Sequence, residues 1–147
     1  MIYNPSIRPV EGSDNLYELV KPFEIGLRVN NKPIYLKIKP GFRFDGASIP
    51  SVLWGFPLML HPTHPHILAG ALVHDLLYET KGYPIRSEFI EAGACYMSVK
   101  DVLYLTPTEH IPKKVADDIF YRLNEISGMD KFRLKATYWA VRLFGRY

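Results

Sequence analysis

His74 and Asp75 stand side by side in Ile-Leu-Ala-Gly-Ala-Leu-Val-His-Asp-Leu-Leu-Tyr, residues 67–78, where the only other polar atom is the hydroxyl of Tyr78. An imidazole and a carboxylate are the materials of a general base and its electrostatic support. A helix that is apolar all round is a buried helix. Burying a neutral polar group without a partner costs roughly 2–7 kcal/mol, and an ionised carboxylate far more, so partners must arrive from elsewhere in the chain. At about 100° per residue His74 shares a face with Ala71 and Tyr78, while Asp75 points about a quarter-turn away. The two side chains therefore address different neighbours.

Two segments could supply those neighbours. Phe44-Asp45-Gly46-Ala47-Ser48-Ile49-Pro50 offers a carboxylate, a glycine and exposed carbonyls, which together with Asp75 make the oxygen-rich supply that a hard cation such as Ca²⁺ prefers. The segment from Lys113 to Ile126 has a core stripe of Ala116, Ile119, Phe120 and Leu123, with Asp117 on its edge and Asp118 on the far side. A carboxylate bonded to one imidazole nitrogen leaves the other able to take a proton from water. His74 as base, Asp117 as its orienter, and Asp75 with Asp45 and Gly46 at a cation would form a hydrolytic site. The same residues would equally serve a polar network that only specifies the fold. Asp45-Gly46 is also turn chemistry, and Ser48 could cap a turn.

The elements that must position these residues are legible from periodicity. Ile25, Leu27 and Val29, then Ile34, Leu36 and Ile38, alternate with other residues on either side of Asn30 to Pro33, which predicts a hairpin. Leu16 to Val20 adds a further extended segment. Phe42 to Pro57, punctuated by Gly46, Pro50, Gly55 and Pro57, reads as a loop. Helices are expected over Ile67 to Thr80, Ser87 to Tyr104, Pro112 to Ile126 and Lys131 to Phe144. Ser87-Glu88 and Thr106-Pro107-Thr108-Glu109 offer helix starts, and Gly128 a C-terminal cap. The expectation is a single α+β domain over 1–147, strand-rich over 1–57 and helical over 66–147: antiparallel β-hairpins followed by a bundle of about four helices.

Composition bounds the function classes. A chain of 147 residues, 48% hydrophobic and 22% charged, can bury a core without metals or disulfides as staples. It holds no run of about 18 uncharged apolar residues, and its first residues lack the basic start and apolar run of a signal peptide. Synthesis in a reducing compartment fits the single cysteine, Cys95, which reads as one member of a helical stripe with Ala92, Tyr96 and Val99. No Gly-rich phosphate loop, Cys-x-x-Cys pair, Gly-x-Ser-x-Gly elbow or nucleic-acid motif is present. His61, His64 and His66, held extended by Pro62 and Pro65, read as a surface loop. From Ile111 to Tyr147 eight Lys or Arg face four Asp or Glu. The last segment interleaves aromatics with Arg133, Lys135, Arg142 and Arg146, which suits either an interfacial helix or a docked helix whose Trp139, Leu143 and Phe144 fill the core.

Two resemblances follow. The order Phe44-x-Asp-Gly-Ala-Ser-Ile-Pro50, Ala71-x-x-His-Asp-x-Leu-Tyr78, Ala116-Asp117-x-x-Phe120 and Tyr138-x-x-Val-Arg-x-Phe-Gly145 resembles a family of short uncharacterised proteins of bacteriophages and prophages. That resemblance implies synthesis in the host cytoplasm, with the phage particle as a destination and other phage structural proteins as partners. The loop and the two helix motifs are also similar to the bacterial and parvoviral phospholipase A2 families. This implies His74 as general base, Asp117 as its orienter, Tyr78 as a supporting hydroxyl, and Asp75 with the Asp45 loop as holders of Ca²⁺ at a membrane surface. The glycine-rich calcium loop and the bracing disulfides of the animal enzymes are absent.

Three readings remain open on sequence. One is a phage-encoded, phospholipase A2-like hydrolase of lipid esters. Another is a non-enzymatic virion or tail protein whose His-Asp network only specifies the fold. The third is a different hydrolase, such as a cell-wall enzyme.

Overall fold

The computed structural model describes residues 4–14, 16–29, 32–45, 51–53, 61–99, 102–103 and 110–146. Among the described residues there are two small antiparallel sheets and three α-helices, the first of which lies between β5 and β6 in the chain. Strands β1 (Ile7–Pro9), β2 (Tyr17–Leu19) and β5 (Arg43–Phe44) form one sheet in the order β1-β2-β5. Strands β3 (Phe23–Val29), β4 (Lys32–Ile38), β6 (Ile90–Val99) and β7 (Val102–Leu103) form the other, in that order. The alternation around Asn30 to Pro33 does make a hairpin, pairing Ile25 with Leu36 and Phe23 with Ile38.

One expected helix is a strand. The described part of the segment from Ser87 to Tyr104 supplies β6 and β7, so among the described residues the expected bundle of about four helices has three members and the 66–147 half is not wholly helical. Cys95 accordingly pairs with Leu36 across β4 and β6 instead of standing on a helical stripe. The physical reason is the open edge of β4: a two-stranded hairpin is marginal alone, and a third strand completes its ladder. Ser87 is not a helix cap. Its Oγ accepts the Phe89 N–H at 3.1 Å and turns the chain into β6. A strand also interrupts the expected 42–57 loop, because Phe44 pairs with Tyr17.

The three helices are α1 (Leu68–Glu79), α2 (Lys113–Ile126) and α3 (Lys131–Phe144). None is long and apolar enough to cross a membrane. From Leu68 to Leu77 every residue of α1 except Asp75 is buried. α1 packs on α2 through Gly70, where an added Cβ would run into Asn124 Oδ1 and lie 3.0 Å from Phe120 Cδ1. The absence of a side chain at Gly70 is what lets the two helices approach this closely. The end of α1 is tied to the start of α2 by the Ile111 N–H bond to the Gly82 carbonyl at 2.7 Å. Gly128 follows the end of α2 at φ 97°, as its position in the sequence suggests.

The core does not use the residues of α3 that its sequence suggests. Trp139, Leu143 and Phe144 are exposed, and α3 docks on its other face through Leu134, Thr137, Ala140 and Val141. Leu134 and Val141 pack on this face in a cluster with Ile67, Phe120 and Met129. Thr137 satisfies its hydroxyl internally, on the Arg133 carbonyl at 3.0 Å.

Candidate active site

His74 lies one turn beyond Gly70 on the same face of α1, toward α2. Its Nε2 is 2.7 Å from Asp117 Oδ1. The Tyr78 hydroxyl, a further turn along, donates to the same oxygen at 2.5 Å. On the other oxygen, Oδ2, Lys113 Nζ donates at 3.0 Å and Arg142 at 2.8 Å. One carboxylate thus gathers donors from all three helices. His74 is 2% exposed and Asp117 is fully buried.

The electrostatics give each partner a defined state. Burial would raise the Asp117 carboxyl, but hydrogen bonds from His74, Tyr78, Lys113 and Arg142 outweigh it and hold the group at about 2. Asp117 is therefore an anion and accepts only. It follows that the His74 proton sits on Nε2, leaving Nδ1 with the lone pair. Burial pulls the imidazole below its ordinary range, and the bond to Asp117 and its charge restore only part of this. His74 is neutral at neutral pH. Its ring is held between Tyr78, with centroids 4.0 Å apart, and Phe120, at 4.8 Å.

In the sequence Arg142 stands out among the cations of the last segment, but neither it nor Lys113 stands out as a partner of Asp117. Lys113 had a signal, since it precedes Asp117 by four residues on one helix face. It also reaches the Val141 carbonyl near the C-terminal end of α3, at 3.2 Å, a favourable place for a cation. Arg142 stands within the closing Tyr138-x-x-Val-Arg-x-Phe-Gly145 motif, but only the docking of α3 reveals its target.

The second part of the predicted site forms where β5 meets α1, at a cavity that neither His74 nor Asp117 lines. β5 pairs with β2 and so carries Asp45 to the side of Asp75, whose Oδ2 accepts the Asp45 N–H at 3.0 Å. A cavity of about 460 Å³ opens there, lined by Asp45, Asp75, Tyr78, Arg43, Phe144 and Arg146 among others. Tyr78 belongs to both parts, its ring against His74 and its edge on the cavity wall. Gly145 makes this possible, because a Cβ there would crowd the Tyr78 hydroxyl at 2.5 Å. Gly46 and Ser48 lie outside the described residues.

Asp45 and Asp75 are carboxylates, the donor type that a hard cation takes. Among the described residues no three His, Cys, Asp or Glu side chains gather as a metal-binding group. Further oxygens for such an ion would have to come from other parts of the chain or from water.

The family model described as "Protein of unknown function (DUF1353)" matches residues 17–141. The chain belongs to the DUF1353 family. The match runs from β2 into α3, so this DUF1353 domain includes Asp45, His74, Asp75, Tyr78, Lys113 and Asp117, and stops one residue short of Arg142. No curated protein and no solved structure matches the chain.

Proposed function

We propose that this DUF1353 protein is a phage-encoded hydrolase of lipid esters, related in its site chemistry to phospholipase A2. The observation that carries the reading is the His74 Nε2 to Asp117 Oδ1 bond, with the Tyr78 hydroxyl on the same oxygen. It fixes the tautomer that a general base needs, while burial keeps the imidazole neutral. Nδ1 takes a proton from water as the oxygen attacks the ester carbonyl, and passes it to the alcohol oxygen as the C–O bond breaks. The products are a fatty acid and the remaining alcohol. Asp117 stays ionised throughout and steadies the imidazolium that forms transiently. Asp75 and Asp45 are the residues that would hold Ca²⁺, which would polarise the ester carbonyl.

Calcium titration by calorimetry on wild type beside Asp75→Asn, with fatty-acid release from mixed phospholipid vesicles, tests this reading. It requires calcium binding that Asp75→Asn abolishes, and lipid hydrolysis that His74→Ala abolishes. A folded wild type that does neither overturns it.

One observation favours a second reading. Asp117 is satisfied by four donors and His74 is almost wholly enclosed, as in a network that only specifies how three helices dock. On that reading the protein is a non-enzymatic virion or tail component. His74→Ala would then lower stability with no activity to lose.

A further inference from the structure

α3 is amphipathic twice over. Its buried face, Leu134, Thr137, Ala140 and Val141, is already docked on the fold. On the opposite side Phe132, Trp139 and Leu143, spaced by seven and four residues, form one line along the helix. They are 72%, 59% and 71% exposed. Lys131 and Lys135 flank this ridge and are exposed, and Arg146, just beyond the helix end, is exposed as well. From Lys131 to Arg146 no acidic residue occurs. Near the helix start, Asp130 caps α3 through the Arg133 N–H.

We propose that this face of α3 seats the protein on an anionic lipid surface. Phe132, Trp139 and Leu143 enter the boundary between headgroups and acyl chains, while Lys131, Lys135 and Arg146 meet the phosphates. An aromatic and aliphatic ridge with a cationic edge is the pattern of a helix lying in a membrane interface. A second copy of the chain is the poorer occupant, because a two-fold contact would bring this cationic edge against itself. Phe144 and Arg146, at the end of α3, also line the cavity beside Asp45 and Asp75, so the seated protein would carry that cavity at the lipid surface. The lipid contact itself does not depend on the hydrolase reading.

Co-sedimentation of the full chain with vesicles of phosphatidylcholine alone, and of phosphatidylcholine mixed with phosphatidylglycerol, tests the proposal. A Trp54→Phe variant leaves Trp139 as the single emitting tryptophan. The expected result is preferential binding to the anionic vesicles, weakened by salt, with Trp139 emission shifted to the blue and shielded from aqueous quencher. Phe132→Ser with Leu143→Ser, and separately Lys131→Glu with Lys135→Glu, should each weaken binding on the order of tenfold or more while circular dichroism stays unchanged. His74→Ala should still bind, which separates this result from the fate of the hydrolase. The proposal is overturned by no preference for anionic vesicles or by full binding in both double variants. It is also overturned by a concentration-dependent dimer that Phe132→Ser with Leu143→Ser dissolves, which would assign the face to a second copy.

Discussion

Gly70 of α1 leaves no room for a Cβ against Asn124 of α2, one helical turn before His74 reaches Asp117. The geometry of the dyad therefore depends on a residue with no chemistry of its own. Replacing glycine by alanine inside a helix ordinarily stabilises by roughly 0.5–1 kcal/mol. Gly70→Ala should do the reverse and destabilise by about 1–3 kcal/mol, because the added methyl meets Asn124 and Phe120 in a packed interface. Urea unfolding checks the sign, which is the informative part.

Asp117→Asn keeps the shape of the side chain and removes the charge that Lys113 and Arg142 share. Breaking a buried ion pair by neutralising one partner costs about 3–5 kcal/mol. The partly exposed Lys113 and Arg142 can regain water, so a loss near the lower bound is expected, measured by denaturant unfolding. The imidazole also loses the acceptor that fixes its tautomer, so any hydrolysis should fall with it.

Removing only a hydroxyl should be far milder. Tyr78→Phe takes one donor from Asp117 Oδ1 and leaves the ring against His74. A stability loss of about 1 kcal/mol is expected. The Asp117 carboxyl should titrate higher than in wild type, which carbon-detected NMR of the labelled carboxyl would show.

Acid should destabilise the protein in two stages. The His74 pKa is lowered by folding, so the unfolded chain takes up a proton first and stability falls as pH drops below the usual histidine range. The Asp117 carboxyl is lowered from 3.8 to about 2, and its contribution is complete above the ordinary carboxylate range and lost as pH falls toward 2. That shift corresponds to about 2 kcal/mol. Unfolding midpoints in denaturant across pH 8 to about 2 should show both declines, and His74→Gln should reduce the first, to which His61 and His64, also lowered by burial, contribute the rest.

Much of this arrangement is legible from residue order because its signals are local. The hairpin from Phe23 to Ile38 announces itself by alternation, and α1, α2 and α3 by apolar spacing and the glycine after α2. β6 does not, since residues 90–99 carry no polar alternation and fit a helical stripe as well; the open edge of β4 decides between them. The exposed ridge of Phe132, Trp139 and Leu143 misleads for a related reason. Apolar spacing marks two faces of α3, and only packing shows that the side with Thr137 and Ala140 goes inward. At the site, the inward turn of Asp117 follows from its place on the stripe. The cationic half of its environment needs Arg142, which arrives from a different helix.

Fatty-acid release from mixed phospholipid vesicles with calcium present, by wild type and by His74→Ala shown to be folded, bears most directly on the proposed chemistry. The account predicts release by wild type and its loss by several orders of magnitude in His74→Ala. Equal release by the two proteins, or none from folded wild type, would contradict it and leave the His74 to Asp117 pair as a device for docking helices.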